Sequence, residues 1–468
     1  MKTISFITLG CDKNLVDSEI ALGKLLKRGI NCVTSPEEAQ LIVLNTCAFI
    51  QSACQEAEEW IDRIITLKRK DPGKRIAVMG CYPQRFQAQC EIRYPEVDFW
   101  IGVNDFPTID QIIEKKEGPR SFFQSNWYLY NEETERVLST PSHYGYIKIA
   151  DGCLHRCSYC LIPIIRGPLR SRSIDSIQKE AKNLVQMGVR EIILVAQDIG
   201  SYGQDQFQKR MLPKLLWRLE KTLPASIWIR LLYLSPESID EELIDVLARS
   251  TKICHSLDIP LQHVDPDILR RMNRFSHIDL ITEKLQMIRK TIPNLFLRTT
   301  FLVGFPGETE ASFERLQSYI TQYPFERMGA FPYSDQPDAP SFYLTPKVPD
   351  DRIRERFNSL METQHRIMLR FHGSLVGRIL PVIIDQVLPG SKTSQGRTYG
   401  DAPDVDGTVM VRTGRQGTMP IFYPAISLAR GTSPKPSFSF PILRRISTGL
   451  SILYWGMRKS GSLSSPAD

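Results

Sequence analysis

Three times before residue 82 an apolar, β-branched run ends in a cysteine and gives way to polar sequence of helical period: ISFITLGC to Cys11, LIVLNTC to Cys47 and RIAVMGC to Cys81. Continuous apolar runs of this length need cover on both faces, which is the setting of a strand inside a parallel sheet. The segments between them, residues 17–27 and 56–68, read as helices, so the first quarter of the chain is predicted to be a doubly wound α/β unit. In such a sheet the loops at the carboxyl ends of the strands gather along one edge, where ligands bind. All three cysteines stand at those ends and are expected to converge there. A lone cysteine is usually a small buried hydrophobe; three in one topological place favour metal ligation.

A second cysteine group is local. The stretch ADGCLHRCSYCLIPIIRGPLRSRS, residues 150–173, spaces Cys153, Cys157 and Cys160 as C-x3-C-x2-C on one glycine-led loop. Structural zinc normally takes paired C-x2-C elements with a fourth ligand, and the chain has no second such pair. An iron-sulfur cubane held by only three thiolates keeps one iron without a protein ligand, and that iron can bind a small molecule directly. The spacing, with Tyr159 just before the third cysteine, resembles the signature of the radical S-adenosylmethionine (SAM) superfamily. The resemblance implies a 4Fe-4S cluster whose open iron chelates SAM and whose electron splits it to a 5'-deoxyadenosyl radical. Such a cofactor answers a chemical need: an unactivated C–H bond has no acidic proton for side-chain bases to remove.

Around this loop a second alternation runs. Strands are expected at residues 145–150, 191–197, 228–234, 256–262, 296–305 and 327–333, with helices at 174–187, 239–248, 280–291 and 310–319. Six βα steps make a partial barrel whose functional groups follow the strand ends. After the second strand comes AQDIGSYGQD (196–205), after the fourth Gln262-His263, and after the fifth the glycine turn GFPGE (304–308). The superfamily resemblance makes Tyr159, Gln197, Gly304, Gly307 and Glu308 elements of a SAM pocket. Gln262 and His263 are expected to line it rather than move protons, since radical abstraction needs no base. Arg166, Arg170 and Arg172 could pair with a carboxylate, but their default reading is solvated or structural.

The phrases LGCDKNLVDSE (9–19), NTCAFI (45–50) and GCYPQR (80–85) resemble the N-terminal domain of the methylthiotransferases. In that family these three cysteines carry a second 4Fe-4S cluster with an open iron. LGC followed by KN and VDSE is nearer the ribosomal-protein branch than the tRNA branch, whose version runs closer to GCQMN. The resemblance therefore implies transfer of a methylthio group to the β-carbon of an aspartate in ribosomal protein S-twelve, free or on the small subunit. One SAM would supply the methyl group and another the radical. It also implies an electron donor such as flavodoxin or ferredoxin, and a sulfur donor. Two other readings stand beside it: a tRNA adenosine methylthiotransferase, and a non-catalytic iron-sulfur redox sensor or scaffold. Cys32, Cys54, Cys90 and Cys254 match no ligand position and read as packing residues.

Towards the C-terminus a charged helix (350–371) leads to GRILPVIIDQVLPG (377–390) and GDAPDVDGTVMVRT (400–413), short antiparallel strands with Gly, Pro and Asp turns. They resemble a TRAM domain, a small β-barrel. Its acidic GDAPDVDG turn is expected to face a basic ribosomal protein. The likeness stops near Thr413, so the barrel is expected to be incomplete and residues 414–468 to form a divergent, disordered tail. The resulting division is an N-terminal domain at 1–118, a linker at 119–142, a radical SAM core at 143–370, the TRAM-like part at 371–413 and the tail.

Composition excludes little but does exclude something. At 42% hydrophobic and 24% charged residues the chain is ordinary soluble sequence, and no apolar run nears the roughly 18 residues of a membrane span. The apolar start is short for a signal peptide, which predicts a cytoplasmic, reducing setting where ten cysteines serve metals rather than disulfides. The net charge of +7 is concentrated: from Thr413 onward seven Lys or Arg face one acid, which leaves 52 basic and 51 acidic residues before it. A body this close to neutral gives no support for sequence-independent phosphate binding.

Overall fold

The computed structural model describes residues 2–115, 118–124, 127–275, 277–387, 393–412 and 422–427. The cysteine-terminated runs are strands with no exposed residue, β1 (Thr3–Thr8), β3 (Leu41–Thr46) and β4 (Arg75–Gly80), with the short edge strand β2 (Asn31–Cys32) between the first two in the chain. With β5 (Phe99–Ile101) and β6 (Ser121–Phe122) they form one wholly parallel sheet in the order β2-β1-β3-β4-β5-β6. Helices α1 (Asp12–Lys27), α2 (Gln51–Lys70) and α3 (Cys81–Phe86) follow β1, β3 and β4. The chain order reverses between β1 and β3, which makes their carboxyl ends the switch point where such sheets bind ligands. β6 corrects the expected linker at 119–142, whose start belongs to this sheet. The remainder carries Arg136, buried against Glu19 of α1 at 2.6 Å and Glu180 at 2.6 Å.

A second parallel sheet opens at β7 (Tyr144–Lys148). The paired β8 (Ala150–Asp151) and β9 (Arg170–Ser171) bracket the local cysteine loop. Then β10 (Glu191–Val195), β11 (Trp228–Leu231), β12 (Ile253–Asp258), β13 (Phe296–Val303) and β14 (Arg327–Pro332) complete the order β14-β13-β12-β11-β10-β7. Strands laid down in sequence, each followed by helical sequence, make the expected partial barrel. Side-chain caps start several of its helices: Ser173 accepts from the Ser176 amide, Asp240 from that of Leu243, and Thr309 with Ser312 forms a reciprocal box. The helix Leu212–Thr222 was not among those expected.

After the helix Asp350–Leu375, strands β15 (Ile379–Val387), β16 (Thr393–Thr398), β17 (Val409–Arg412) and β18 (Phe422–Ser427) form an antiparallel sheet in the order β17-β16-β15-β18. β18 lies beyond Thr413 and pairs with β15, so the small sheet gains a strand from sequence assigned to the tail. The rest of that tail lies outside the described residues. The acidic turn also differs from expectation. Asp401 is held by Arg327 at 2.5 Å, Asp406 pairs with Arg298, and Asp404 accepts from the Tyr144 hydroxyl at 2.9 Å. These carboxylates tie the small sheet to the barrel, and Asp404 remains exposed. Among the described residues no helix is long and apolar enough to cross a membrane.

Candidate active site

Cys11, Cys47 and Cys81 arrive from three strand ends, and glycine makes room for them. Gly10 has φ +89°, and a Cβ on it would lie 2.8 Å from the Cys47 Cβ; a side chain here would push two cysteine loops apart. Asn14, one turn into α1, ties the edge together: its Nδ2 donates to the carbonyls of Leu9 (3.1 Å) and Thr46 (2.9 Å). Its Oδ1 lies 3.9 Å from the Cys11 Sγ and 3.8 Å from the Cys81 Sγ. Burial pushes the Cys47 thiol up, and the neighbouring Cys81 and Cys11 thiols push it further. Cys81 is also raised by burial, against the pull of Arg166. The convergence expected from topology is thus present.

The second triad sits on the loop between β8 and β9. Gly152 (φ +74°) folds this loop so tightly that a Cβ would lie 2.0 Å from the Pro168 carbonyl oxygen, and the Cys153 amide donates to Gly167 O at 3.2 Å. Ser158 anchors the loop to the far side of the barrel, donating from its amide to Met272 O (2.9 Å) and from its hydroxyl to Arg271 O (2.8 Å). Arg274 donates to the Cys157 Sγ at 3.7 Å and to the Tyr159 hydroxyl at 3.4 Å. Burial pushes Cys153 up to about 11 and Cys160 up to about 12. Thiols raised this way titrate to thiolate on binding a cationic centre, not before it. His155, between two of the cysteines, is held by Asp198 at 2.9 Å, and Asp198 in turn accepts from the amides of Gly200 and Ser235 at 3.0 Å each.

Among the described residues no group of three His, Cys, Asp or Glu could hold one metal ion. A cubane takes each thiolate on a different iron and so accepts sulfurs that stand further apart. The donor set, three soft thiols with no fourth protein ligand, fits that group.

The other sequence-predicted residues divide. Tyr159 packs edge-on against Phe305 at 6.3 Å. Gln197 donates to Asp151 at 3.0 Å and leaves its buried Oε1 without a partner. Gly304 (φ +79°) and Gly307 (φ +93°) shape the turn after β13. Glu308 is buried beneath it, accepting from the Gly304 amide at 3.0 Å and from Arg356 at 2.8 Å. His263 is fully buried, 3.4 Å from Glu308, with its Nδ1 accepting from the Asp265 amide. Of the remaining cysteines, Cys54, Cys90 and Cys254 are buried among apolar side chains and Cys32 is half-buried.

Sequence reasoning missed the polar core between the triads. Arg166, set aside as solvated or structural, is 2% exposed and donates to Asp17 (2.6 Å) and Asn14 (2.6 Å), with the Cys81 Sγ at 3.5 Å. Lys148 bridges Asp17 (2.5 Å) and Asp151 (2.8 Å). The one available signal was the spacing of Asn14 and Asp17, which puts both on one face of α1.

Family models match three segments: an uncharacterized protein family, UPF0004, over residues 3–102, the radical SAM superfamily over 147–320, and a TRAM domain over 376–425. A protein of Syntrophotalea carbinolica named ribosomal protein uS12 methylthiotransferase RimO is 40% identical over 88% of this chain and 92% of its own length. One of the same name from Lachnoclostridium phytofermentans is 41% identical over 88% and 93%. The chain belongs to the ribosomal protein uS12 methylthiotransferase family. Its fold is shared beyond that family: the radical SAM methyltransferase TsrM of Kitasatospora setae, with cobalamin and a [4Fe-4S] cluster bound, superposes with a TM-score of 0.53 at 13% identity, over 84% of this chain and 77% of the other. A methylthiotransferase of this family is thus an α/β sheet, a radical SAM barrel and a small antiparallel sheet in one chain.

Proposed function

We propose that this methylthiotransferase carries two 4Fe-4S clusters, one on Cys153, Cys157 and Cys160 and one on Cys11, Cys47 and Cys81, and methylthiolates the β-carbon of an aspartate in ribosomal protein uS12. The observation that carries this reading is the pair of triads on facing strand ends, joined by the buried Arg166–Asp17–Lys148–Asp151 network. When bound, the clusters and SAM supply hydrogen abstraction, a sulfur atom and a methyl group. The chain's own residues do the rest. Tyr159, Gln197, Gly304 and Gly307 shape the SAM pocket, and Glu308 holds the turn that contains both glycines. The Gln197 Oε1 offers a buried acceptor to an ammonium or hydroxyl. Arg274 sets the pitch of the cysteine loop through Cys157 and Tyr159. The substrate is met free or on the small subunit in the cytoplasm, with electrons from a flavodoxin- or ferredoxin-type donor and sulfur from a separate donor.

The test is anaerobic reconstitution followed by iron counting, SAM cleavage and mass spectrometry of uS12 and of tRNA. About eight irons per chain, as two cubanes require, with a methylthio group on uS12, is the expected outcome. A methylthio group on tRNA alone, or iron without SAM cleavage, overturns it.

A further inference from the structure

Most cations around the two triads already have anionic or carbonyl partners. Arg166 and Lys148 share Asp17 and Asp151, Arg298 pairs with Asp406, and Arg274 donates to Pro260 O at 2.9 Å. Lys13 is different. It sits two residues past Cys11, is 8% exposed, and among the described residues its ammonium makes no hydrogen bond and no ion pair. Its Nζ stands 3.6 Å from the ring centroid of Tyr233, which follows β11 on the barrel. A ring face offsets only part of what an ammonium loses on leaving water.

The ring itself is fixed. Tyr233 takes a left-handed backbone (φ +67°), and its hydroxyl donates to Asp12 at 3.2 Å. Beneath it, Asp258 at the end of β12 accepts from the Tyr233 amide through Oδ2 at 3.4 Å, while its buried Oδ1 has no partner. Burial raises this carboxyl to about 6, although Arg298 and Lys13 both act against the shift. Lys13 is thus close enough to be felt by Asp258 but forms no ion pair with it. An unpaired cation and an unpaired acceptor thus both meet Tyr233, one over its ring and one at its amide, where the first domain meets the barrel strand ends.

An aspartyl residue complements this arrangement: a carboxylate for the ammonium and a backbone N–H for the acceptor. We propose that Lys13 binds the side-chain carboxylate of the target aspartate, with Asp258 accepting from the same residue; this rests on the uS12 reading above. The carboxylate is bonded to the β-carbon, so holding it fixes the carbon that reacts.

The test measures binding to the reconstituted full-length enzyme of uS12 and of uS12 whose target aspartate is changed to asparagine. The wild-type enzyme is expected to bind the asparagine form roughly 10- to 100-fold more weakly, the scale of a charged hydrogen bond. In Lys13→Met that preference disappears, because binding of the aspartate form falls to the level of the other. Lys13→Arg, which keeps the charge, retains a preference, and preparations are compared at equal iron content. A preference that survives unchanged in Lys13→Met, including one in which both forms weaken equally, overturns the assignment. Should Lys13→Met not fold, Lys13→Gln is read the same way. Wild-type enzyme that binds neither form overturns the uS12 reading itself, whereas binding without discrimination overturns this assignment alone.

Discussion

Arg166 shows how much a single side chain between two triads is asked to do. Its planar fork meets Asp17, Asn14 and the Cys81 sulfur at once, which a lysine cannot reproduce. Replacing it by methionine would leave Asp17 and Asp151 buried with Lys148 as the cation they still share. Loss of one partner from a buried ionic group costs about 3–5 kcal/mol, so Arg166→Met should lower stability by that order in denaturant titration. The cysteines make a sharper prediction. If each triad serves its own cubane, as proposed, Cys11→Ala and Cys157→Ala should each remove roughly half of the bound iron; a full complement in either variant would separate that cysteine from its cluster. The grouping of Cys11, Cys47 and Cys81 at one sheet edge, and of Cys153, Cys157 and Cys160 on one loop, was legible because its signals are local, a repeated position at strand ends or a single spacing. Arg166 and Asp17 stand 149 residues apart, and nothing near either announces the other.

At the scale of elements, the small C-terminal sheet is held to the barrel by charge as well as by apolar contact. Glu191, the first residue of β10, is fully buried and accepts from Arg230 at 2.6 Å and Arg397 of β16 at 2.7 Å. Burial pushes its carboxyl up, but Arg397 and Arg230 overcome this and hold it at about 2, below its ordinary 4.5. The unfolded chain therefore binds this proton more readily than the folded one. The stabilisation is complete above about pH 4.5 and is lost as pH falls towards 2. Hydrogen exchange of β15 and β16 amides should accelerate through that window. Glu191→Gln should bring the faster exchange to neutral pH and remove this acid-dependent step, whereas unchanged exchange in the variant would remove Glu191 from the joint. The long strands and helices were legible from period alone. β2, β5 and β6, of two or three residues, were not, because such segments carry too little alternation to register. The acidic turn was visible but its internal pairings were not: composition does not distinguish a solvated carboxylate from one paired with Arg298 or Arg327 on a distant strand.

Over the whole molecule, α1 is the element on which both halves close. Its apolar face shares one core with β1, β3 and β4 on one side and with Tyr146, Ile193 and Val195 of the barrel on the other. Its polar face supplies Lys13, Asn14 and Asp17 to the junction between the triads. The body that results is nearly neutral, and two acids of the turn expected to meet a basic partner, Asp401 and Asp406, are paired internally with Arg327 and Arg298. Long-range attraction is therefore a poor candidate for substrate capture, and short-range fit at the junction the better one. That distinction has a measurable form. Binding of uS12 to the enzyme should weaken only slightly as salt rises, because few condensed counterions are released when two proteins meet through buried contacts. A nucleic-acid partner would instead give an affinity falling with log salt at about −0.7 to −0.9 per phosphate neutralised. Any steep component should trace to the six basic residues in 428–468 and vanish when that segment is removed. A steep slope that survives that removal would mean that the neutral body contacts phosphate, and would move the substrate from protein towards RNA.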